Sequence, residues 1–225
     1  MHAVLSSGEQ RVTLIELFTS EGCSSCPPAD RWLSELQDEP GLWKEYVPVA
    51  FHVDYWDYIG WEDRFARAEY SARQRQYVAQ GGANFVYTPG VFLQGDAWPD
   101  WRSGKPPMTD RSRVGNLSVS VDDGIAAIQF NNSRPVPGQL TAHVALLGMN
   151  LETAVRSGEN RNRKLHHDFV VLNVVSIPLD NTASGYMANT PLPDTTSDAN
   201  DLAVAVWVSA SGTQRPIQSV GGLLL

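Results

Sequence analysis

Leu14-Ile15-Glu16-Leu17-Phe18-Thr19-Ser20-Glu21-Gly22-Cys23-Ser24-Ser25-Cys26-Pro27-Pro28-Ala29-Asp30 governs how every other segment of this chain is interpreted. From Val12 to Phe18 the residues are mostly apolar and β-prone, the pattern of a strand buried on both faces. Only Glu16 interrupts the run. It reads either as one polar position paired with a basic residue or as a buried carboxylate able to move protons. A turn bearing Cys23 and Cys26 follows. Pro27 and Pro28 fit a first helical turn, where the backbone N–H has no partner anyway. Trp32, Leu33 and Leu36 then recur at helical spacing, predicting a helix from Ala29 to Gln37 that faces a sheet.

Cys23 and Cys26 are the only cysteines in the chain. A lone C-x-x-C admits three readings. Half of a zinc site requires a second ligand pair. His2, His52, His143, His166 and His167 form no H-x₃₋₅-H, and no second cysteine pair exists. A structural disulfide closing so short a loop constrains the unfolded chain little. A redox dithiol requires its first sulfur at a helix N-terminus, where the dipole favours a thiolate. The strand–turn–helix context supplies that placement.

At 225 residues the chain is long for one domain and comfortable for two. Its 42% hydrophobic and 19% charged content is that of a folded globular protein. A net charge of −8 argues against a nucleic-acid partner, which requires a basic face. No run of ~18 apolar residues is present, so no transmembrane helix is expected. Met1 to Gly8 lacks the basic start and apolar core of a signal peptide. A cysteine pair of this kind leaves the compartment open.

Along the chain, Tyr46–Val53 predicts a second buried strand, ending in His52-Val53-Asp54-Tyr55-Trp56-Asp57-Tyr58. Functional side chains gather at strand ends in open sheets. His52, Asp54 and Trp56 are therefore candidates for a groove beside the dithiol, while packing of a long loop explains the aromatic residues equally well. Asp63–Gln80 predicts a helix with a basic, solvated face, ended by Gly81-Gly82. Thr88-Pro89 is a turn dipeptide before an apolar strand, where a cis bond is a positioned feature.

From about Arg111 short strands separated by turn signals take over: 116–121, 125–130, 139–147, 169–177, 202–209 and 214–222. Gly185–Asn200 reads as a long loop. The segment Arg156–Val171, with its basic cluster and His166-His167, reads as a hairpin with a solvated tip. It gains a functional role only by folding back towards Cys23.

The order strand, C-x-x-C, helix, strand, helix, Thr-Pro, strand resembles the thioredoxin superfamily. The block Glu16–Asp30, with Phe51–Asp57, Tyr87-Thr88-Pro89, Gly158-Glu159-Asn160, Leu165 and His166, is similar to a bacterial thioredoxin-like family of unknown function whose members are often secreted. That resemblance covers nearly the whole chain. It implies an α/β thioredoxin-like domain over residues 1–110, with a mixed sheet flanked by helices and an inserted aromatic loop and helix. An antiparallel β-rich, sandwich-like domain follows over 111–225. It also implies a periplasmic or secreted protein, with the residues themselves leaving a cytoplasmic location open. Two departures from thioredoxin stand out: Gly22 replaces the usual aromatic residue, and Pro27 the usual basic one.

The expectation is a thiol–disulfide oxidoreductase without a cofactor. Cys23 attacks a disulfide and Cys26 resolves the mixed disulfide. Thr88 and cis Pro89 hold the substrate backbone, as the resemblance implies, and Glu16 or Glu21 moves protons. The partner is a protein or small-molecule thiol or disulfide. Two alternatives stand beside it. One is a binding module with a structural disulfide. The other is a soft-metal carrier, copper for example, using both thiolates with His52 or His166; no dedicated metal site is assigned.

Overall fold

Strand follows strand along this chain, because short runs of β-branched and aromatic residues are punctuated by turn residues. The computed structural model describes residues 1–136, 138–195, 197 and 199–225. Its elements are β1 (Ala3–Ser6), β2 (Thr13–Thr19), α1 (Pro27–Glu35), β3 (Tyr46–His52), α2 (Ala68–Ala79), β4 (Gly90–Leu93) and β5 (Asp96–Ala97). There follow β6 (Gly115–Asp122), β7 (Ile125–Asn132), β8 (Leu140–Met149), β9 (Leu151–Ala154) and β10 (Lys164–His167). The last are β11 (Val170–Pro178), β12 (Asp180–Thr182), β13 (Gly185–Pro191), β14 (Asp201–Ala210) and β15 (Pro216–Leu223).

An eight-stranded sheet runs β15-β14-β8-β11-β3-β2-β4-β5. Within it β2 and β3 are parallel, from Thr13 opposite Tyr46 to Thr19 opposite His52. β11 lies parallel to β3 at Val170 and Ala50. A five-stranded antiparallel sheet, β1-β6-β7-β13-β12, packs on the C-terminal part of the first, and β9 and β10 form a separate hairpin. Every residue of β2 and β3 is buried, in keeping with their mostly apolar character.

β14 shows how both layers are held. Its successive side chains point to opposite faces. Ala203, Ala205 and Trp207 join the core that contains Phe51 and Tyr70. Val204, Val206 and Val208 join the core built from Leu117, Val119, Ile128 and Phe130 of the second sheet. Burying each such valine contributes roughly 1.5–3 kcal/mol.

The expected helix-flanked α/β thioredoxin-like domain with an appended sandwich is not what forms. The described residues contain two short α-helices, of nine and twelve residues, and are dominated by large mixed and antiparallel sheets. The physical reason lies at β3. Its edge is taken by β11, so the C-terminal strands extend the cysteine-bearing sheet. Strands from both sides of residue 110 share that sheet, and β1 pairs with β6 across the same point.

Other expectations need local correction. α2 begins at Ala68, because Asp63 is drawn inward and its carboxylate accepts from the Phe65 N–H. Its basic face is not wholly solvated: Arg73 is buried. Gly185–Pro191, expected within a loop, is β13, since Tyr186 and Ala188 pack against the second core.

Candidate functional site

β2 ends at Thr19, and the chain turns through Ser20–Ser25 into α1, which begins just after Cys26. Phe18 pairs with Gly90, the first residue of β4. The topology therefore delivers Thr88 and Pro89, joined by a cis bond, to the end of β2 where the cysteine turn starts. The expected pair, Cys23 and Cys26, is joined as a disulfide. Both residues are 0% exposed.

Three side chains seal this turn. Trp56 lies across it, donating its indole N–H to Thr88 Oγ1 at 2.7 Å. A Cβ at Gly22 would sit 3.1 Å from Trp56 Cβ and 3.3 Å from its carbonyl oxygen, which explains why no aromatic residue precedes Cys23. The other two come from the β9–β10 hairpin. Asn160, itself 0% exposed, donates from Nδ2 to the carbonyls of Glu21 and Cys23, both at 2.9 Å. Glu159 accepts from the Ser24 N–H at 3.0 Å, and the Ser24 hydroxyl and N–H hold its carboxyl below the usual range. The segment expected to be a solvated tip thus folds back onto the cysteines.

This arrangement occupies the amides that a Cys23 thiolate would use. Ser24 N–H goes to Glu159, Cys26 N–H goes to the Cys23 carbonyl, and Pro27 and Pro28 have none. The hydroxyl of Ser25 remains, 3.3 Å from Cys23 Sγ.

Beneath the turn lies a buried polar cluster. Asp63 Oδ2 accepts from the Glu21 N–H at 2.8 Å and meets His52 Nδ1 at 2.6 Å. Burial alone would lower the His52 pKa, but the charge of Asp63 and its hydrogen bond outweigh this and raise it to about 9. Burial pushes Asp63 upward, and the protonated His52 beside it brings it below its ordinary value. Glu21 Oε2 accepts from the Trp61 indole at 2.7 Å. Its Oε1 is 3.4 Å from His167 Nε2, within ion-pair range but without hydrogen-bond geometry. The His52 and His167 rings stand 5.0 Å apart. Asp30, on α1, faces both imidazoles, and burial raises its pKa.

The other expected residues are dispersed. Glu16 sits apart, its Oε1 accepting from Arg73 Nε at 2.6 Å and its Oε2 from the Tyr77 hydroxyl. With both oxygens engaged it is a buried ion-pair partner. His52 is fully buried and lines no groove, and Asp54 is tied to Ser71 on α2. His166 projects outward to Glu152 at 3.1 Å. With His52 held by Asp63 and His166 by Glu152, neither histidine stands open to the sulfurs. Among the described residues no group of three or more His, Cys, Asp or Glu side chains is arranged to hold a metal ion.

Sequence reasoning did not assign roles to Asp30, Asp63, Glu159, Asn160 and His167. A signal was available for Asp30. A carboxylate four residues after Cys26 falls on the same helix face, among positions that face the sheet. Nothing local marks Asn160 as a cover for the cysteine turn, since the carbonyls its Nδ2 donates to lie more than 130 residues away.

No helix among the described residues is long and apolar enough to cross a membrane. No curated protein matches the sequence. Two solved structures are similar. Protein AGR_C_4864 from Agrobacterium tumefaciens is 25% identical, covering 96% of this chain and 95% of that one, with a TM-score of 0.63. HBP35 of Porphyromonas gingivalis is 11% identical, covering 97% and 76%, with a TM-score of 0.62, a likeness of fold alone. The sequence also matches, over residues 14–209, the family model described as protein of unknown function (DUF1223), and by that match the chain belongs to this family.

Proposed function

We propose that the protein is a thiol–disulfide oxidoreductase working through Cys23 and Cys26. The observation that carries this reading is the placement of the pair. It stands where a buried strand meets the N-terminus of α1, directly above a cluster of buried titratable groups. Groups with shifted pKa values, as Asp30, Asp63 and His52 have here, concentrate at sites that move protons. Dithiol exchange moves two electrons and two protons. The chemistry is that used by thioredoxin-type enzymes, here on a more extensively β architecture. Cys23, which precedes the helix, is assigned the exchanging role, and Cys26, at the helix start, the resolving one. Thr88, beside Trp56, is set to meet a substrate backbone. The partner is a protein or small-molecule thiol or disulfide, in a periplasmic or extracellular setting.

The complete burial of both cysteines favours a second reading, a structural disulfide in a binding module. One experiment separates the two. The folded protein is treated with dithiothreitol and the thiols are counted by alkylation, alongside an insulin-reduction assay. Exchange predicts reduction without unfolding and activity that disappears in Cys23→Ser. A disulfide that stays intact until the chain unfolds removes the exchange reading.

A further inference from the structure

We propose that Asp30 carries the proton to and from Cys26, and that the cleft between α1 and β10 connects it to solvent. The inference rests on the exchange reading above and adds a residue and a route to it.

The geometry begins with α1. Cys26 already has helical backbone angles, φ −77° and ψ −36°, so helical spacing applies from it onward. Asp30 is four residues along, and its N–H donates to the Cys26 carbonyl at 3.1 Å. Side chains four apart on a helix share a face, with Cβ atoms about 5–6 Å from each other. Both residues face inward.

Every packed element contributes a group towards Asp30. β10 supplies His167, β3 supplies His52, the segment after it supplies Asp63, and β2 supplies the Thr19 hydroxyl. Burial outweighs the two imidazoles and leaves the Asp30 carboxyl raised, so it holds its proton where a surface carboxyl would have lost it. Of the other acids nearby, Glu16 is held by Arg73 and Tyr77 and Asp63 by His52, while Glu21 gives one oxygen to Trp61, keeps Oε1 without a hydrogen-bond partner and lies outside the helix that follows Cys26.

Among the described residues Asp30 is the most exposed of the buried acids, at 7%, and it lines a cleft of about 240 Å³. Pro27, Arg31 and Ser34 form one wall, and Lys164 and His166 with Asp168 form the other. Protons therefore reach Asp30 through this cleft between α1 and β10.

The reduction step balances as follows. One thiolate of an incoming dithiol attacks Cys23 Sγ, and the Cys23–Cys26 bond breaks. The electron pair moves to Cys26 Sγ, which takes the proton from Asp30. Asp30 is reprotonated through the cleft. The second thiol of the partner then releases its proton to solvent and, as a thiolate, attacks its own sulfur in the mixed disulfide. Cys23 leaves as a thiolate and the partner departs oxidised. Without a donor, Cys26 would leave as a buried anion.

The test is the rate of reduction by dithiothreitol between pH 5 and 9, in the full chain and in Asp30→Asn and Asp30→Glu. The amide variant is expected to be at least about a hundredfold slower near pH 6, the lower end of what general acid catalysis contributes. The gap should narrow as pH rises, because the wild-type carboxyl then loses its proton too. Glutamate should restore the rate. Where the amide variant fails to fold, Asp30→Ser is judged by the same ratio. An unchanged rate and pH profile in the substituted protein overturns the assignment of Asp30. A wild-type disulfide that dithiothreitol cannot reduce in the folded state overturns the exchange reading instead.

Discussion

Strand β2 carries one buried charge cluster on each side, and the two are built on opposite principles. Towards α2, Glu16 meets one guanidinium and one phenol, and both of its oxygens are filled. Arg73 completes its own set through Tyr77 and Gln214 and lies over the rings of Phe51 and Trp207. Towards α1, Asp30, Glu21 and Asp63 share His52 and His167. There His52 Nε2, His167 Nε2 and Glu21 Oε1 have no hydrogen-bond partner. A filled ion pair fastens helix to sheet. A crowded, under-satisfied one changes protonation readily, because no arrangement of its protons satisfies every atom.

The contrast is broken most severely from the fastened side. Arg73→Ala leaves the Glu16 carboxylate buried and uncompensated, which is expected to cost about 3–5 kcal/mol. Replacing both partners together, Glu16→Met with Arg73→Met, should recover most of that loss, since well-packed apolar pairs often substitute for buried ion pairs. Urea denaturation of the three proteins at pH 7 measures both effects.

The second cluster is sharpened by pH. His52 has its folded pKa raised from 6.5 to about 9, so its contribution is fully present below pH 6.5 and lost as pH rises through 9. The penalty of His52→Gln should therefore shrink by on the order of 2–3 kcal/mol between pH 6 and pH 10. Denaturation midpoints at those two values give the difference; a penalty independent of pH would show that Asp63 does not hold the imidazole charged.

The smallest expected effect comes from the strap. Asn160→Ala removes the donor from two buried carbonyls, of Glu21 and Cys23, at a cost of about 1–2 kcal/mol. The same change should speed reduction of the Cys23–Cys26 bond by dithiothreitol, because it loosens the cover over the sulfurs. Stability that falls with no change in the reduction rate would make the strap a fastening unrelated to access.

Much of the local structure was legible. The mostly apolar runs of β2 and β3, the start of α1 at paired prolines and the strands β6, β7, β8, β11, β14 and β15 follow from patterning, while β13 does not. The layer arrangement was not. Whether β3 is an edge or an interior strand depends on whether β11 docks beside it, and β11 reads the same in either case. The helix start at Asp63 was misplaced for a related reason: the residue opens a helical pattern, and only its proximity to His52 pulls it inward. For the site, Cys23 and Cys26 were visible because two cysteines at that spacing constrain each other locally. Asn160 and His167 were not, since their meaning comes from partners on the far side of the sequence.

By itself the sequence determined that a cysteine pair would sit between a buried strand and a helix. Hydrophobic periodicity and proline stereochemistry act over a few residues and leave little choice there. Only the tertiary structure decided that the pair would be covered, by the β9–β10 hairpin and Trp56, and backed by Asp30, His52 and His167. Burial and electrostatic environment are properties of what surrounds a residue in space, and long-range strand pairing sets them.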